Sequence, residues 1–566
     1  HMFAQVAEAV HYYGAKASYL VLPNMNIVRN YDASDGVVSE FVAGDGSKPE
    51  TGKAAPKELL LEMVENYAQE AKLAQSLGFD MCFMHMAYRF MFPGRFLSPI
   101  SNRRTDEFGG SMENRARFPL MICQRIKEVC GKDFLVEISV SGREDDAFPG
   151  GNTVEDIIEL ARLAQGKVDI LQIRGHSIDP SQPTYLDPRE IPNLDSAAAI
   201  SRGIKDRGIN MLVNIVGGCQ DLDLCNRVIE EGKADLIGAA RSFIADPKWG
   251  VKAYEGRGED VVPCLRCNKC HVPGPEKWFT VCSVNPEWGL EHKIERMVTL
   301  PAGKKKIAVV GGGPAGMEAA LISAKRGYDV SLYEKDSRLG GLLNAMDGIG
   351  IKWTVTRFRD YMVNQVKKAG IRLFLNTEAT PELLKTENYD NVIVAIGSSP
   401  GIPPIPGANL PHVLPAVDVV SRQETMSKDV AIIGGGEIGV EMGIHLARRG
   451  HKVTVLEMLD MLAPECVPVH FRSVFEKTWE EQEGFNYILK ARCTEITPEG
   501  VKYVKNGKEE FLPAGSVVIA AGMKPKLDEA MSFLDGSCRA FMIGDCDKVG
   551  SIQTAMRAAY SICSNL

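Results

Sequence analysis

Apolar runs and amphipathic stretches alternate along the first 255 residues of the chain, and this alternation predicts its elements. Short apolar runs recur between longer stretches whose apolar positions have helical spacing. Strands and helices that alternate in this way indicate parallel β/α units joined by right-handed crossovers. We therefore predict an α/β domain of the barrel type over residues 1–255. The predicted strands cover residues 17–22, 134–140, 170–173, 211–216 and 235–237.

A strand, a glycine-rich turn and the start of a helix are predicted twice in the second half of the chain. The first copy spans residues 307–316 (Ile-Ala-Val-Val-Gly-Gly-Gly-Pro-Ala-Gly), and the second spans 430–439 (Val-Ala-Ile-Ile-Gly-Gly-Gly-Glu-Ile-Gly). In each copy an acidic residue ends the next strand about 20 residues later, which completes a dinucleotide-binding fingerprint. The chain is therefore expected to bind two dinucleotides. The residues assigned to them are Gly311, Gly313, Gly316 and Glu334 in the first copy and Gly434, Gly436, Gly439 and Glu457 in the second.

The two acidic residues also bear on which dinucleotides are bound. A carboxylate at this position accepts a hydrogen bond from a ribose 2′-hydroxyl and repels a 2′-phosphate. We therefore expect FAD in the first site and NADH in the second. Arg448 and Arg449 precede Glu457 by a few residues, so NADPH stays open as the less favoured nucleotide.

Four cysteines lie between the barrel-type domain and the first glycine-rich turn. Cys264, Cys267 and Cys270 are separated by two residues each, and Cys282 follows after eleven more. This spacing lets four thiolates surround one iron–sulfur cluster, whose usual ligands are thiolates. A structural zinc ion held by the same thiolates is the alternative, and two redox nucleotides in the same chain favour the cluster. A disulfide framework is not expected in a chain of this size.

Composition narrows the classes of function and location. The 566 residues suffice for about three or four domains. The net charge of −8 argues against nucleic acid as a partner. No apolar run approaches the roughly 20 residues of a membrane span and no signal peptide opens the chain, so no membrane association is expected. The other ten of the 14 cysteines are scattered, which favours a reducing cytoplasm.

Two segments at predicted strand ends are typical of a phosphate site in a barrel. One is Val-Gly-Gly at residues 216–218, and the other is Gly-Ala-Ala-Arg at residues 238–241. In barrels, backbone N–H groups after the last two strands hold a phosphate, here with one arginine. The alternative is that these glycines serve only tight turns. The residues predicted to hold a cofactor phosphate are Gly217, Gly218, Ala240 and Arg241.

Two stretches of the barrel-type domain resemble one family of flavoproteins. They are residues 96–99 (Phe-Leu-Ser-Pro) and 101–117 (Ser-Asn-Arg-Arg-Thr-Asp-Glu-Phe-Gly-Gly-Ser-Met-Glu-Asn-Arg-Ala-Arg). With the cysteines and both glycine-rich turns, essentially the whole chain is similar to the Old Yellow Enzyme-related iron–sulfur flavoproteins. That group includes 2,4-dienoyl-CoA reductase, trimethylamine dehydrogenase, 2-enoate reductase and the gut-bacterial bile-acid and isoflavone reductases.

The resemblance implies an architecture and a route for electrons. It implies an N-terminal (β/α)8 barrel with FMN, a [4Fe–4S] cluster at its edge, and Rossmann-like FAD and NAD(P)H domains. Electrons are expected to pass from NADH to FAD, through the cluster to FMN, and then to an activated C=C bond. Gly397, Gly544 and Asp545 match family positions in the FAD domain. The implied boundaries are 1–255 for the FMN barrel, 256–300 for the cluster loop, 301–400 with 511–566 for FAD, and 401–510 for NAD(H).

Several positions depart from the family pattern. The first two β/α units are absent, and six strands cannot close an eight-stranded barrel without exposed edges. Closure then requires a longer chain, a partner or a rearrangement. Leu20, Pro23 and Ser139 stand where the family has a glutamine, a histidine and an arginine at the flavin. Phe90 stands where dienoyl reductases have a proton-donating tyrosine, and phenylalanine cannot donate a proton.

Candidate catalytic side chains lie at predicted strand ends, where barrels place their chemistry. Reduction of a C=C bond needs a hydride, a group that polarises the electron-withdrawing substituent, and an acid for the α-carbon. His85 and Tyr88 at one strand end and His176 at another are the candidates for these roles. Arg174 is a candidate contact of the flavin or the substrate.

Three functions are consistent with these residues. The favoured one is an NADH-dependent ene-reductase that acts on a small unsaturated carbonyl compound, such as an enoate, an enoyl thioester or a steroid-like enone. The second is an electron-transfer flavoprotein with a degenerate FMN barrel, which passes electrons to a redox partner protein. The third is an amine dehydrogenase, for which Tyr88, Phe90 and Phe92 would form an aromatic cage. The oligomeric state stays open, with a homo-oligomer as one alternative because the large multi-cofactor enzymes of the family are often homo-oligomers.

Overall fold

The computed structural model describes residues 2–22, 30–36, 52–89, 91–177, 182–271, 281–291, 303–468, 470–534 and 539–566. These residues fall into two compact units. The first unit comprises His1–Pro183 and Arg189–Ala239, and the second comprises Thr184–Pro188 and Ala240–Leu566. Among the helices of the described ranges, none is both long and apolar enough to cross a membrane.

The described part of the first unit contains eight strands and seven helices. The strands are β1 (Ser18–Leu20), β2 (Tyr31–Asp32), β3 (Lys53–Ala54), β4 (Met81–His85), β5 (Leu135–Ser141), β6 (Ile170–Arg174), β7 (Leu212–Val216) and β8 (Leu236–Gly238). The helices are α1 (Met2–Tyr12), α2 (Lys57–Ser76), α3 (Phe92–Leu97), α4 (Met112–Cys130), α5 (Val154–Ala164), α6 (Leu194–Asp206) and α7 (Leu222–Glu230).

Six of these strands form one parallel sheet in the order β1-β4-β5-β6-β7-β8, and β2 pairs separately with β3. The predicted strands correspond to β1 and to β5 through β8, and His85 is the last residue of β4. The prediction of a barrel-type α/β domain is therefore confirmed. Within the described residues the sheet has six strands.

Polar and apolar residues alternate along β5, and the strand register brings its polar face beside that of β6. Ser139 lies opposite Gln172, and Ser141 lies opposite Arg174. Side chains at paired positions of adjacent strands point to the same face of a sheet, and residues two apart along a strand share that face. Glu137, Ser139 and Ser141 therefore face the same side as Gln172 and Arg174. The polar side chains of the candidate site project from this face.

The second unit begins its regular structure with helices α8 and α9 and then alternates strands and helices. The strands of its described part are β9 (Lys306–Val310), β10 (Asp329–Tyr333), β11 (Arg372–Phe374), β12 (Asn391–Val394), β13 (Ser398–Pro400), β14 (Val413–Pro415), β15 (Asp429–Ile433), β16 (Lys452–Leu456), β17 (Phe485–Ile488), β18 (Ala491–Thr497), β19 (Gly500–Lys505), β20 (Lys508–Pro513), β21 (Ser516–Ile519), β22 (Met523–Pro525) and β23 (Arg539–Met542). The α-helices are α8 (Arg241–Ala245), α9 (Trp249–Tyr254), α10 (Pro314–Lys325), α11 (Trp353–Lys368), α12 (Pro381–Thr386), α13 (Val419–Arg422), α14 (Glu437–Arg448), α15 (Arg472–Glu480), α16 (Leu527–Met531) and α17 (Ile552–Cys563).

Two parallel five-stranded sheets define two lobes of this unit. The first lobe has the strand order β11-β10-β9-β12-β23, and the second lobe has the order β14-β21-β15-β16-β17. The antiparallel strands β18, β19 and β20 form a separate sheet, and β13 pairs with β22. Each glycine-rich turn follows the central strand of its lobe, β9 or β15, as expected for a dinucleotide fold. Strand β21 pairs with β15, so the second lobe extends to Ile519, beyond the boundary expected at 510.

The cysteine segment packs against the core of the first lobe. Cys264, Cys267 and Cys282 contact a buried cluster that includes Ile307 and Phe358. These contacts lie within one compact unit, so the cysteine loop and the first glycine-rich turn belong to the same folded body. The second lobe has its own core, which also includes Tyr185 from the short segment Thr184–Pro188.

Candidate functional site

Three candidate side chains lie close together at the C-terminal edge of the first unit's sheet. They are His85, Tyr88 and Arg174. The rings of His85 and Tyr88 have their centroids 5.0 Å apart in an edge-to-face arrangement. Arg174, at the end of β6, donates a hydrogen bond from its guanidinium to the hydroxyl oxygen of Tyr88 at 3.0 Å. The same guanidinium lies 5.8 Å from the centre of the Tyr88 ring. The structure thus places a phenol, an imidazole and a cation together.

A chain of hydrogen bonds along the polar sheet face fixes the position of Arg174. The Nε of Arg174 donates to Gln172 Oε1 at 2.8 Å, and Gln172 Nε2 donates to Glu137 Oε1 at 2.9 Å. Asn214 on β7 donates to the same oxygen of Glu137 at 2.8 Å. Glu137 and Gln172 are buried, so the chain ends in a carboxylate with little access to water. No sequence motif marks Glu137, Gln172 or Asn214 as part of the site. The alternation of polar and apolar residues along β5 does indicate that Glu137 faces it.

Ser139, where the resemblance implies an arginine, has a structural role. It is fully buried, and its hydroxyl accepts a hydrogen bond from the backbone N–H of Met86 at 3.3 Å. Ser141 similarly accepts from the N–H of Tyr88 at 3.2 Å. Both serines therefore hold the segment that follows His85. The positive charge beside Tyr88 comes from Arg174 on the adjacent strand. Of the other departures, Leu20 ends β1, whereas Pro23 and Phe90 lie outside the described residues.

The backbone at Tyr88 and Arg89 has an unusual conformation. Both residues have positive φ angles, 65° and 58°, in a region that costs non-glycine residues free energy and often marks functional sites. Arg89 is buried and forms an ion pair with the buried Glu144 at 3.0 Å. Its guanidinium also lies 4.2 Å from the ring centre of Phe148. These contacts hold the strained turn that presents Tyr88.

His176 lies in the segment that follows β6, at the same edge of the sheet. Its Nδ1 is 3.5 Å from Asp146 Oδ1, and its ring centroid is 5.8 Å from that of Phe148. Phe148 therefore contacts both Arg89 and His176, which connects the loops after β4 and β6.

Burial changes the titration of the His85 ring. Burial, and then the charge of Arg174, lower the pKa of His85 to about 3. The imidazole is therefore neutral at physiological pH and can donate or accept a hydrogen bond without carrying charge.

All four predicted cluster cysteines line one pocket of the second unit. Arg241, Asn268 and Ser283 lie on the same pocket wall. Within the described ranges, no three His, Cys, Asp or Glu side chains converge tightly enough to bind a single metal ion. The four cysteines share this lining, so they are placed to act as ligands of one group.

The chemistry of the four thiols also fits such a group. Burial, and to a smaller extent neighbouring cysteines, raise the pKa of Cys270 and of Cys282 to about 12. Thiolates gathered there therefore need a positively charged core to stabilise them. The backbone N–H of Arg266 donates to Cys264 Sγ at 3.4 Å, which is a contact that tunes cluster potentials. The four residues can hold an iron–sulfur cluster.

The residues predicted to hold a phosphate are divided between the two units. Gly217 and Gly218, with φ of 111° and 85°, follow β7 in the first unit. Ala240 and Arg241 belong to the second unit. There Arg241 donates to the buried Asn268 at 2.5 Å and lines the cysteine pocket. A common phosphate site for these four residues therefore stays a prediction.

The two glycine-rich turns have nearly identical geometry. A Cβ on Gly316 would lie 1.8 Å from the carbonyl oxygen of Gly311, and one on Gly439 would lie 2.0 Å from that of Gly434. Only glycine permits this close packing of helix on turn. Glu334 accepts a hydrogen bond from the N–H of Gly312 at 2.7 Å. Glu457 accepts one from the N–H of Gly435 at 2.6 Å. These carboxylates lie at the position of a ribose-binding acid in both lobes.

The remaining FAD candidates lie in the first lobe as expected. Gly397 follows β12, and Gly544 and Asp545 follow β23. Asp545 accepts hydrogen bonds from Ser398 Oγ at 3.2 Å and from the N–H of Gly550 at 3.1 Å. Strand β12 lies beside the central strand β9, and β23 is the edge strand beside β12. Both are parallel to β9, so these residues lie at the carboxyl edge of the sheet, where open α/β sheets bind ligands.

A buried polar group in the second lobe was not foreseen. Tyr185 donates to Glu441 Oε1 at 2.6 Å, and Lys352 pairs with the same carboxylate. Lys352 also lies 4.6 Å from the ring centre of Tyr185. Glu441 stands one turn into helix α14, which follows the second glycine-rich turn. No local motif marks this group, because its three members are far apart in sequence.

Comparison with known proteins agrees with the division into two parts. Residues 1–260 match the NADH:flavin oxidoreductase / NADH oxidase family. Residues 266–387 and 305–559 match the pyridine nucleotide-disulphide oxidoreductase family.

Individual relatives match over nearly the whole chain. The chain is 34% identical to an NADH oxidase of Thermoanaerobacter brockii, over 99% of this chain and 86% of the relative. It is 30% identical to a cinnamate reductase of Clostridium sporogenes, over 99% and 86%. It is also similar to the solved structure of a 2-naphthoyl-CoA reductase in complex with 2-naphthoyl-CoA. That match has a TM-score of 0.87 and 26% identity, and it covers 100% of this chain and 87% of the other.

Proposed function

Because the chain belongs to the NADH:flavin oxidoreductase / NADH oxidase family, we propose that it reduces a C=C bond conjugated to a carbonyl group with electrons from NADH. It is a flavin oxidoreductase that uses FMN, FAD and NADH. The substrate class proposed is an enoate, an enoyl thioester or a steroid-like enone. Two relatives support it, since cinnamate carries a C=C bond beside a carboxylate and 2-naphthoyl-CoA carries conjugated bonds beside a thioester.

The observation that carries this proposal is the hydrogen bond between Arg174 and Tyr88 beside His85. A phenol with its oxygen already accepting from a guanidinium keeps its own proton available for another acceptor. Tyr88 can therefore hold the proton that the α-carbon needs, in the role that Phe90 cannot fill. A barrel that served only as a scaffold would not require this buried and hydrogen-bonded arrangement.

His85 and His176 take different roles in this proposal. Since its pKa is about 3, His85 stays neutral and acts as a hydrogen-bond donor to the carbonyl oxygen. His176, beside Asp146, orients the substrate from the loop after β6. Arg174 positions Tyr88, because its guanidinium is itself fixed by a hydrogen bond to Gln172.

The bound cofactors supply the hydride and carry the electrons, in the order NADH, FAD, [4Fe–4S], FMN. We assign Cys264, Cys267, Cys270 and Cys282 to the cluster. The first lobe is assigned to FAD through Gly311, Gly313, Gly316, Glu334, Gly397, Gly544 and Asp545. The second lobe is assigned to NADH through Gly434, Gly436, Gly439 and Glu457, and the FMN phosphate is assigned to the turn of Gly217 and Gly218 in the first unit.

Anaerobic turnover with defined acceptors tests the proposal. The holoenzyme is mixed with NADH and either cinnamate, an enoyl-CoA thioester or a cyclic enone, and the organic product is identified by mass spectrometry. We expect NADH oxidation that depends on one of these acceptors and yields the saturated compound. Reduction of an artificial dye without reduction of any C=C acceptor would instead support an electron-transfer protein. Oxidation of an alkylamine would support a dehydrogenase.

A further inference from the structure

We propose that Glu465 competes with the pyrophosphate of NADH for the N-terminus of helix α14, so that this side chain lowers the affinity of the second lobe for its nucleotide. The inference rests on the proposed function, because it concerns the site assigned to NADH. It concerns a residue outside the glycine-rich fingerprint, and the sequence pattern gives no sign of it.

The two lobes provide an internal comparison. Their central strands, turn glycines and ribose-binding acids agree closely, since Gly311 and Gly434 have φ angles of 104° and 106°. The helices after the two turns are both twelve residues long, and each begins directly after a glycine, Gly313 or Gly436. A difference between the lobes at the helix N-terminus therefore reflects neighbouring residues rather than the turn itself.

The space at the two helix N-termini differs. A Cβ placed on Gly313 would have no atom within 4 Å, so the first site is open where a phosphate would approach. A Cβ placed on Gly436 would lie 2.8 Å from Glu465 Oε1. The same oxygen accepts a hydrogen bond from the N–H of Glu437 at 2.5 Å. The first residue of the other helix is Pro314, which has no N–H to donate.

A carboxylate in this position occupies the place of an anionic ligand. The N-terminal N–H groups of a helix and its dipole attract one negative group, either a side chain or a phosphate. In a dinucleotide fold the pyrophosphate binds at this helix N-terminus. The carboxylate of Glu465 and the pyrophosphate therefore require the same donor, and NADH has to displace the side chain.

Nearby acidic groups increase the effect of Glu465, and its exposure makes displacement feasible. Burial, Glu441 and Glu465 all raise the pKa of Glu437, against the opposing charges of Lys352 and Lys269. The region is thus rich in acidic groups even without a ligand. Glu465 is exposed, so its side chain can move into solvent without disturbing a packed core.

Binding of ADP-ribose to the holoenzyme isolates this competition, because the probe carries the pyrophosphate and undergoes no redox reaction. Isothermal titration calorimetry compares the native chain with Glu465→Gln and Glu465→Ala. Glu483→Gln, an exposed acidic position in the same lobe, is the control. We expect both Glu465 variants to bind ADP-ribose about three- to tenfold more tightly, in the range of helix-terminus charge effects. The Glu483→Gln variant should match the native chain.

Adenosine binding and the rate of FAD reduction show whether a change in affinity comes from the pyrophosphate site. Adenosine, which lacks phosphate, should bind equally to all four proteins, and FAD reduction at saturating NADH should keep its rate. Unchanged or weaker binding of ADP-ribose to the Glu465 variants would overturn the inference. If no protein binds ADP-ribose and NADH fails to reduce FAD in the native chain, the assignment of the second lobe to NADH is itself overturned.

Discussion

Removal of the Tyr88 hydroxyl would remove its hydrogen bond with Arg174. Its oxygen accepts from Arg174 at 3.0 Å, and its backbone N–H is held by Ser141. The ring of Tyr88 is also buried, so a phenylalanine would fill the same volume. A substitution at this position therefore tests chemistry rather than packing.

We expect Tyr88→Phe to lower turnover of a C=C acceptor by about 10²- to 10⁴-fold, which is the contribution typical of a general acid. The rate at which NADH reduces FAD should not change, because Tyr88 belongs to the other compact unit. Stopped-flow absorbance and steady-state turnover measure the two steps separately. Tyr12→Phe, at an exposed position on α1, is the control. Equal turnover in both variants would remove Tyr88 from the mechanism.

The depressed pKa of His85 predicts how stability depends on pH. Its folded pKa is about 3, and its value in solvent is 6.5. Between these values the unfolded chain binds the proton and the folded chain does not, so the free energy of unfolding falls as the pH decreases from 6.5. We expect His85→Asn to reduce the loss of melting temperature between pH 7 and pH 5. Calorimetric scans of both proteins across this range provide the measurement, and parallel curves would contradict the assignment.

At the scale of elements, the strands could be predicted because their residues repeat a local pattern. The alternation in β5 and the apolar runs of β6 and β7 carry that information within a few residues. Gly311 and Gly434 were identifiable for the same reason, since the turn, strand and helix are contiguous in sequence. The register between β5 and β6, which brings Arg174 to Tyr88, depends on pairing between distant segments and could not be inferred.

The turn after β4 shows how a buried ion pair maintains an element in a strained conformation. The Arg89 and Glu144 side chains are 5% and 2% exposed, and Ser98 also donates to Glu144 at 2.7 Å. Loss of one partner from a buried pair leaves the other charge uncompensated, at a cost of about 3–5 kcal/mol. The turn that presents Tyr88 should therefore depend on Glu144.

We expect Glu144→Gln to destabilise the first unit by about 3–5 kcal/mol, and Arg89→Met/Glu144→Gln to lose less than the sum of the single variants. Hydrogen exchange of peptides covering β4 and β5 measures the change, because exchange there reports opening of this unit. Glu159→Gln is the control, since its pair with Arg162 is exposed and exposed ion pairs contribute little to stability. Similar exchange in both variants would show that the ion pair does not support the turn.

At the scale of the whole molecule, the chain of cofactors was easier to predict than the residues that position them. The four cysteines and both glycine-rich turns are short motifs whose spacing is dictated by their ligands. The group formed by Tyr185, Lys352 and Glu441 joins three segments that are remote in sequence. Such groups form only when tertiary packing brings the segments together, so no local sequence pattern predicts them.

Electron flow through the cysteine pocket is the feature on which the whole-molecule function depends. We expect Cys267→Ser, prepared anaerobically, to lose most of its iron and sulfide, because one of four thiolate ligands is replaced by a weaker oxygen ligand. NADH should still reduce FAD, since both nucleotide lobes are intact, while reduction of the C=C acceptor should fall to background. Cys493→Ser, on β18 of the same unit, is the matched control and should retain iron and turnover. Iron and sulfide analysis with electron paramagnetic resonance of the reduced protein gives the measurement. A Cys267→Ser protein that keeps full turnover, or a native protein that contains zinc in place of iron, would show that electrons do not pass through this pocket.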